Sequence, residues 1–551
     1  MQAVYPQQAQ IDASIGNTWS LRPWVLNVIT ALLLTAGYNQ AFFHSLSTIG
    51  NLHASINLTG LLLLINLFLC QLGGTGKGQK LWLLLLLTIS ATSQYFMLNY
   101  GVLIDNNMLA NALETDAAEV QGLLSSKMLP YFLFELLLPA ILLLVVPMSA
   151  VASTTKVKKS TRILRYCGLL TVILGLLVVL IAGQYQSYAS VFRQHRYLKH
   201  QALPLSALSA AAGLLRVKSA IAQSHQSYAA DAVQQLPAAS KPRLVIFVLG
   251  ETVRADHLGI NGYSRNTTPR LSQRKLINFG AISACGTATA ISVPCLLSHL
   301  TKDNYNEDMA KHSDNIVDVL KTAGVNVLWR NNNSGCKTMC DRIEQDQHFA
   351  ADSPYHCEDG QCPDIALLND LAQRIKQHDN TQSLLVVLHQ QGNHGPEYYK
   401  RSLAQHKIFL PECQTNLLSE CEQQQIINAY DNAIISTDLL LGNTITLLES
   451  FTEQYDTALV YLSDHGESLG ENGVYLHGLP YWMAPDAQTK VPMFFWLSDN
   501  FIQQAQLDTN CLQHTTNVSH DNVFDTLLSL FAVQSSATRP ALDLLHSCIK
   551  A

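Results

Sequence analysis

Five apolar runs before residue 190 constrain this chain more than any other feature. They are roughly Trp24–Phe43, Leu58–Leu72, Leu81–Leu98, Met128–Met148 and Ile163–Ala182. A helix needs about 20 residues to cross a hydrocarbon core of about 30 Å, and the runs meet or approach that length. A buried core helix explains one such run, but not five in succession with short connections. A cleaved signal peptide does not fit the first run, which is long, starts late and is followed by further spans. Charged residues are only 14% of the chain of 551, against roughly 25% in soluble proteins, and the deficit lies mostly in this half.

Lys and Arg set the expected orientation. Lys77 and Lys80 fall between the second and third runs, and Lys156, Lys158, Lys159, Arg162 and Arg165 between the fourth and fifth. The other two connections hold Lys127 alone. The N-terminus is therefore expected inside and everything after the fifth run outside, which in a Gram-negative-type cell is the periplasm. A net charge of -6 without a basic tract argues against nucleic acid as a partner.

The external connection Asn99–Lys127 is long and polar. Asn111, Thr115 and Glu119 recur every four residues there, so on a helix they share one face. That face reads either as solvated or as a polar patch for a lipid headgroup. Beyond the fifth run, Gln186–Leu236 is rich in Ala, Ser and Gln. Tyr185, Tyr188, Phe192 and Tyr197 stand beside Arg193, Arg196 and Lys199, a pattern of a helix lying in the membrane interface or of a solvated linker.

From Leu244 the pattern changes to alternating strands and helices. The predicted strands are Leu244–Leu249, Val325–Trp329, Leu384–His389, Ala458–Ser463 and Met493–Leu497. Helical patterns include Asn315–Ala323, Asp364–Gln377 and Gln424–Leu448. Such alternation implies a largely parallel sheet covered on both faces. The expected architecture is an N-terminal five-helix transmembrane domain over 1–185, an interfacial helical bridge over 186–240, and a C-terminal periplasmic α/β domain over 241–551, its sheet sandwiched by helices.

Cys70 and Cys167 lie in spans and read as small buried hydrophobes. The other ten cysteines fall into neighbours: Cys285/Cys295, Cys336/Cys340, Cys357/Cys362, Cys413/Cys421 and the more distant Cys511/Cys548. An even set in an oxidising compartment argues for disulfides. A structural zinc cluster is the rival, but the short Cys-x2-Cys spacing it favours is absent.

Three stretches carry the chemistry. The strand ending at Ser463 runs into Asp464-His465-Gly466, and the strand ending at Leu249 into Gly250-Glu251-Thr252. Cys285-Gly286-Thr287-Ala288-Thr289 offers hydroxyls before a helix start. Two carboxylates, an imidazole and a hydroxyl suit a catalytic zinc, which keeps one position open. Coordination would activate Thr289 as it activates water; the ordinary alternative for Thr289 is a helix N-cap. His394 follows the strand ending at His389, and His477 lies a dozen residues past His465. Either fits a contact to phosphate oxygens or a second zinc, as do Asn333 and Lys337 for phosphate. Arg254, Asp256 and His257 receive no role.

Together these residues resemble the phosphoethanolamine transferases of Gram-negative inner membranes. That family modifies lipid A, includes the mobile colistin-resistance enzymes and belongs to the alkaline phosphatase/sulfatase superfamily. The resemblance is carried by the Cys285–Thr289 stretch with Ser292-Val293-Pro294-Cys295, by His394-Gly395-Pro396, by Ser463-Asp464-His465-Gly466-Glu467-Ser468-Leu469-Gly470-Glu471, and by His477-Gly478. It implies an alkaline phosphatase-like fold and a zinc held by Glu251, Thr289, Asp464 and His465, with Thr289 as nucleophile. It implies phosphoryl contacts from Asn333, Lys337, His394 and His477, and a donor-lipid site at Asn111, Thr115 and Glu119. The Cys336/Cys340 pair is absent from some relatives, which leaves the placement of Lys337 open. One zinc is expected and a second is compatible. The implied donor is phosphatidylethanolamine and the acceptor lipid A; the expected state is a monomer. A phosphoglycerol transferase of the lipoteichoic-acid-synthase type shares five spans and a threonine nucleophile, but the clustered external cysteines and His477 fit it poorly. Core heptose or a glycan is the alternative acceptor.

Overall fold

The computed structural model describes residues 20–74, 77–115, 117–148, 159–219, 225–237, 240–346, 355, 357 and 362–550. Lys156 and Lys158, two of the basic residues that set the expected orientation, lie outside them. The chain divides into two compact units, with divisions at Gln94/Tyr95, Met128/Leu129 and Leu205/Ser206.

The first unit is helical. Among the described residues, four helices are long and apolar enough to cross a membrane: Leu52–Leu72, Gly78–Tyr100, Met128–Val145 and Leu164–Gly183. The first apolar run is two helices, Pro23–Gly37 and Gln40–Ile49, bent by 58°; counted as one broken span they make five. The break follows from Asn39, which is buried between them. Its amide donates to the carbonyl oxygens of Leu34 (2.8 Å) and Leu203 (3.1 Å), while its oxygen accepts from Leu203 N at 2.8 Å. The second run proves longer than its apolar stretch. Asn51 caps the helix by accepting from Ala54 N, so helix begins at Leu52 and carries His53, Ser55 and Asn57 ahead of Leu58.

Met128–Val145 contains a π-helical turn at Leu133–Leu137, in which Leu138 N reaches Leu133 O. Pro139 has no N–H to give Glu135 O, and the Tyr38 hydroxyl donates there instead. The Lys80 ammonium closes the same helix by donating to Leu144 O and Val146 O, each at 2.7 Å; a cation is favourable at a helix C-terminus. Buried amides join the helices. Asn27 donates to Gln71 at 2.7 Å, and Gln79 to Asn27 at 2.6 Å, a kind of contact that associates helices where no hydrophobic drive exists between them.

The second unit is built on a seven-stranded sheet. Its strands are β1 (Arg243–Gly250), β2 (Ile277–Ser283), β3 (Asn326–Asn331), β4 (Glu344–Asp346), β5 (Leu384–His389), β6 (Asp456–Ser463) and β7 (Lys490–Leu497). Across the sheet the order is β2-β7-β6-β1-β5-β3-β4. The strands from β6 to β4 are mutually parallel, and β7 is antiparallel to both of its neighbours. Strand β1 is buried throughout. Its alternate residues feed two cores: Val245, Phe247 and Leu249 on one face, Leu244, Ile246 and Val248 on the other. The 27-residue helix Gln423–Glu449 covers the second face, contributing Leu440, Leu441, Ile445 and Leu448. Helices Thr289–Leu297, Ile316–Thr322 and Val523–Leu530 cover the first.

The sequence misses the edge strands β2 and β4. It also predicts one helix over Asp364–Gln377, where the structure has a 3-10 turn, Asp364–Leu368, and a helix, Leu371–Gln377, separated at Asp370 with φ 52°.

Five disulfides staple this unit: Cys285–Cys295, Cys336–Cys340, Cys357–Cys362, Cys413–Cys421 and Cys511–Cys548. The first four span at most 10 residues, the last 37. Loop-closure entropy makes the long one worth more, about 4 kcal/mol against about 2 kcal/mol for Cys336–Cys340. Serine replacement of Cys511 and Cys548 is therefore expected to lower the denaturation midpoint of the full-length protein further than replacement of Cys336 and Cys340. The reverse order in urea titrations followed by tryptophan fluorescence would contradict this.

Candidate active site

The parallel strands β6, β1, β5 and β3 end at one edge of the sheet, where α/β proteins place their sites. Each delivers at least one of the predicted residues. Gly250 leads to Glu251, Ser463 to Asp464 and His465, His389 to His394, and Asn331 to Asn333. Glu251, Asp464 and His465 are fully buried, and Thr289 nearly so.

Thr289 is the first residue of its helix. The N-cap is Ala288, in extended conformation and without a side-chain cap bond, so the N-cap alternative for Thr289 does not hold. The threonine hydroxyl instead donates to Glu251 Oε2 at 2.9 Å and lies 3.3 Å from His465 Nε2. That nitrogen is 3.2 Å from Glu251 Oε1 and 3.4 Å from Asp464 Oδ2. The opposite ring nitrogen, Nδ1, lies 2.9 Å from Gly466 O. Donation there leaves Nε2 as the ring nitrogen that faces the carboxylates.

The remaining carboxylate oxygens are gripped from behind. Asp464 Oδ1 accepts from His465 N at 2.7 Å and Thr252 N at 3.2 Å. Glu251 Oε2 accepts from Asn333 Nδ2 at 2.8 Å. Among the described residues, two buried oxygens, Glu251 Oε1 and Asp464 Oδ2, have no hydrogen-bond donor and face the His465 imidazole. Burial favours a neutral Glu251, yet the adjacent His465 charge holds its carboxyl well below the usual range. Burial and the Glu251 charge together push Asp464 well above it. His465 is disfavoured as a cation by burial but held up to about 10 by Asp464 and Glu251. Two buried carboxylates thus compete for one imidazole. Glu251, Asp464 and His465 each direct a ligand atom into one spot, all within 4.8 Å of one another. Hard oxygens plus one imidazole nitrogen suit a divalent cation, so the residues present fit a metal. The other such grouping among the described residues, Cys336, Cys340 and Asp341, has its thiols committed to a disulfide.

Of the predicted phosphoryl contacts, Asn333, His394 and His477 lie around this cluster. The His477 and His465 rings are 4.4 Å apart, and His394 and His477 5.1 Å. Glu119 lies 4.0 Å from His394 Nε2. Lys337, at φ 52°, places its ammonium 3.1 Å from both oxygens of Ser334. Asn111, Thr115 and Glu119 do not share one helix face. Helix Asn106–Glu114 ends at Thr115, which is extended, and Glu119 belongs to the next helix, Ala117–Leu123. Thr115 Oγ1 donates to Asn111 O, and the Asn111 amide faces Gly478.

Several supporting residues carry no signal in the sequence. Asp364 accepts from Asn332 Nδ2 and from the backbone N of Gln391 and Gly392, at 2.7–2.8 Å. It thereby fixes the turn in which Gly392, at φ +53°, lies so close to Glu251 that a Cβ would stand 2.5 Å from Glu251 O. His520, held neutral by burial with its pKa lowered to about 3, receives Cys285 N at Nδ1 and sits 3.0 Å from Ser463 O at Nε2. Arg254 pairs with Asp256 and Glu471, and His257 with Asp431.

Comparison with known proteins fits this site and fold. The family "Sulfatase" matches residues 243–533, and the family "Phosphoethanolamine transferase EptA/EptB" matches residues 62–218. Phosphoethanolamine transferase EptA of Escherichia coli (strain K12) is 38% identical over 482 residues, covering 84% of each chain. Phosphatidylethanolamine transferase Mcr-1 of Escherichia coli is 37% identical over 546 residues, covering 94% of this chain and 97% of the relative. The integral membrane lipooligosaccharide phosphoethanolamine transferase A of Neisseria meningitidis superposes with a TM-score of 0.91 at 31% identity, covering 97% of this chain and 100% of that one. The chain therefore belongs to the phosphoethanolamine transferases, multi-pass enzymes of the bacterial inner membrane that carry a periplasmic catalytic domain of the alkaline phosphatase/sulfatase superfamily.

Proposed function

We propose that this enzyme moves phosphoethanolamine from phosphatidylethanolamine to a phosphate of lipid A through a covalent intermediate on Thr289, with zinc held by Glu251, Thr289, Asp464 and His465. The observation that carries this is the Thr289 hydroxyl at 2.9 Å from Glu251 and 3.3 Å from His465, beside two buried carboxylate oxygens that share one imidazole nitrogen. Zinc bound there would lower the pKa of the threonine hydroxyl, as it lowers that of bound water from about 15.7 to about 7.

Thr289 Oγ1 attacks the phosphorus of the donor. The new Oγ1–P bond forms as the bond to the glycerol oxygen breaks, and diacylglycerol leaves. A phosphate oxygen of lipid A then attacks the same phosphorus, and the Oγ1–P bond breaks. Phosphoryl transfer rests on positioning and charge neutralisation. Asn333, Lys337, His394 and His477 supply contacts to the phosphoryl oxygens, and the N-terminus of the Thr289–Leu297 helix adds positive potential. Asn111, Thr115 and Glu119 take the headgroup side of the donor. The printed names of the relatives support the donor and the acceptor class: Mcr-1 is a phosphatidylethanolamine transferase, and the Neisseria enzyme acts on lipooligosaccharide. Relatives named Kdo(2)-lipid A phosphoethanolamine 7''-transferase, matched over 53% and 47% of this chain, also carry lipid A in their printed name. The added amine lowers outer-leaflet negative charge and weakens binding of polymyxin and colistin.

Cells expressing the wild type are expected to show lipid A heavier by about one phosphoethanolamine unit, and Thr289→Ala to show none. Lipid A of unchanged mass in both, with modified core oligosaccharide, would reassign the acceptor. Glu251→Ala is expected to lose its metal by elemental analysis; full occupancy would refute that ligand. Polymyxin susceptibility should follow the lipid A mass in every variant.

A further inference from the structure

Glu467 is fully buried and belongs neither to the metal ligand set nor to the phosphoryl contacts. Both its oxygens are taken. Oε2 lies 2.7 Å from His477 Nδ1, and Oε1 accepts from the Tyr398 hydroxyl at 2.7 Å. A carboxylate only accepts, so His477 donates through Nδ1 and turns the lone pair of Nε2 away from Glu467. The same carboxylate supports the second histidine. Gly395 packs so tightly on it that a Cβ there would stand 2.8 Å from Glu467 Oε1 and 2.7 Å from both the Tyr398 hydroxyl and Leu476 Cδ2. Gly395 directly follows His394. Leu476, directly before His477, is held at φ 63°, a conformation that persists only where the surroundings impose it. The Glu467 backbone is itself clamped: its N–H donates to Ala487 O at 2.7 Å, and its carbonyl accepts from Arg254 at 3.3 Å.

We propose that Glu467 is a positioning residue for the transfer, fixing the tautomer and aim of His477 through a hydrogen bond and the place of His394 through the close packing of Gly395. This rests on the reading of both histidines as phosphoryl contacts. Partners that orient metal-ligating imidazoles typically account for about 10- to 100-fold in activity or metal affinity, and the same scale is expected for an imidazole aimed at a phosphoryl group.

The test uses the full-length enzyme in detergent with phosphatidylethanolamine as donor, following diacylglycerol release. Glu467→Met keeps the length and the bulk against Gly395 but offers no oxygen to His477 or Tyr398. Expected is a fall of about 10- to 100-fold in kcat/KM with metal content unchanged, and no further fall when Glu467→Met is added to His477→Ala. Wild-type kinetics for Glu467→Met, loss of its metal, or additive losses in that double variant would each overturn the proposal. If the Met variant fails to fold, Glu467→Asp stands in, its carboxylate stopping one methylene short of both His477 and Gly395: a fall with metal content unchanged is expected, and wild-type kinetics would overturn the proposal. A fully active His477→Ala would sink the phosphoryl-contact reading itself, whereas an impaired His477→Ala beside an unimpaired Glu467→Met would sink this proposal alone.

Discussion

A carboxylate taken out of water must meet compensating charge or donors, or it does not stay ionised. Glu251 and Asp464 are both taken out of water, and they stand side by side because β1 and β6 are adjacent parallel strands with Gly250 opposite Ser463. The sheet, rather than any loop, sets their separation. Much of the surrounding polar structure answers that demand. Asn333 and Thr289 donate to one carboxylate, two backbone amides to the other, and His465 sits between them. What is left over is a pair of oxygens facing one imidazole nitrogen, a ready seat for a cation.

The loops that complete the site are rigid for local reasons. Asp364 holds the turn before His394, His520 ties the Cys285 loop to the end of β6, and Gly392 lets two segments approach where no side chain could fit. None of these groups faces the reacting atoms. Their hydrogen bonds restrict the freedom of segments that do, which is how a site made mostly of loops keeps the geometry of one built on strands.

The legible part of this chain is the part where one physical signal dominates. Strands buried on both faces, such as Leu384–His389, read as continuous apolar runs, whereas β2 is buried only at Ile277 and Ile282 and contains Gly280, and β4 has three residues. The Asp464-His465 and Glu251 positions stand out because each follows such a run. Four-residue spacing misleads at Asn111, Thr115 and Glu119, since it carries no information about the helix end at Thr115. Asn39 and Asn51 look alike in sequence as polar residues near apolar runs, but one breaks a helix and the other starts one. Asp364 and His520 act through tertiary contacts 27 to 235 residues away, which no local pattern encodes.

The disulfides bear unevenly on the chemistry. Cys285–Cys295 brackets Thr289, Cys336–Cys340 brackets Lys337, and Cys362 lies two residues before Asp364. In a reducing compartment the same chain would carry ten free thiols beside those of Cys70 and Cys167, and the segments those bridges close would lose a restraint, while the two apolar cores would still hold the sheet. The oxidising side of the membrane thus supplies covalent restraint to the segments that carry Thr289 and Lys337.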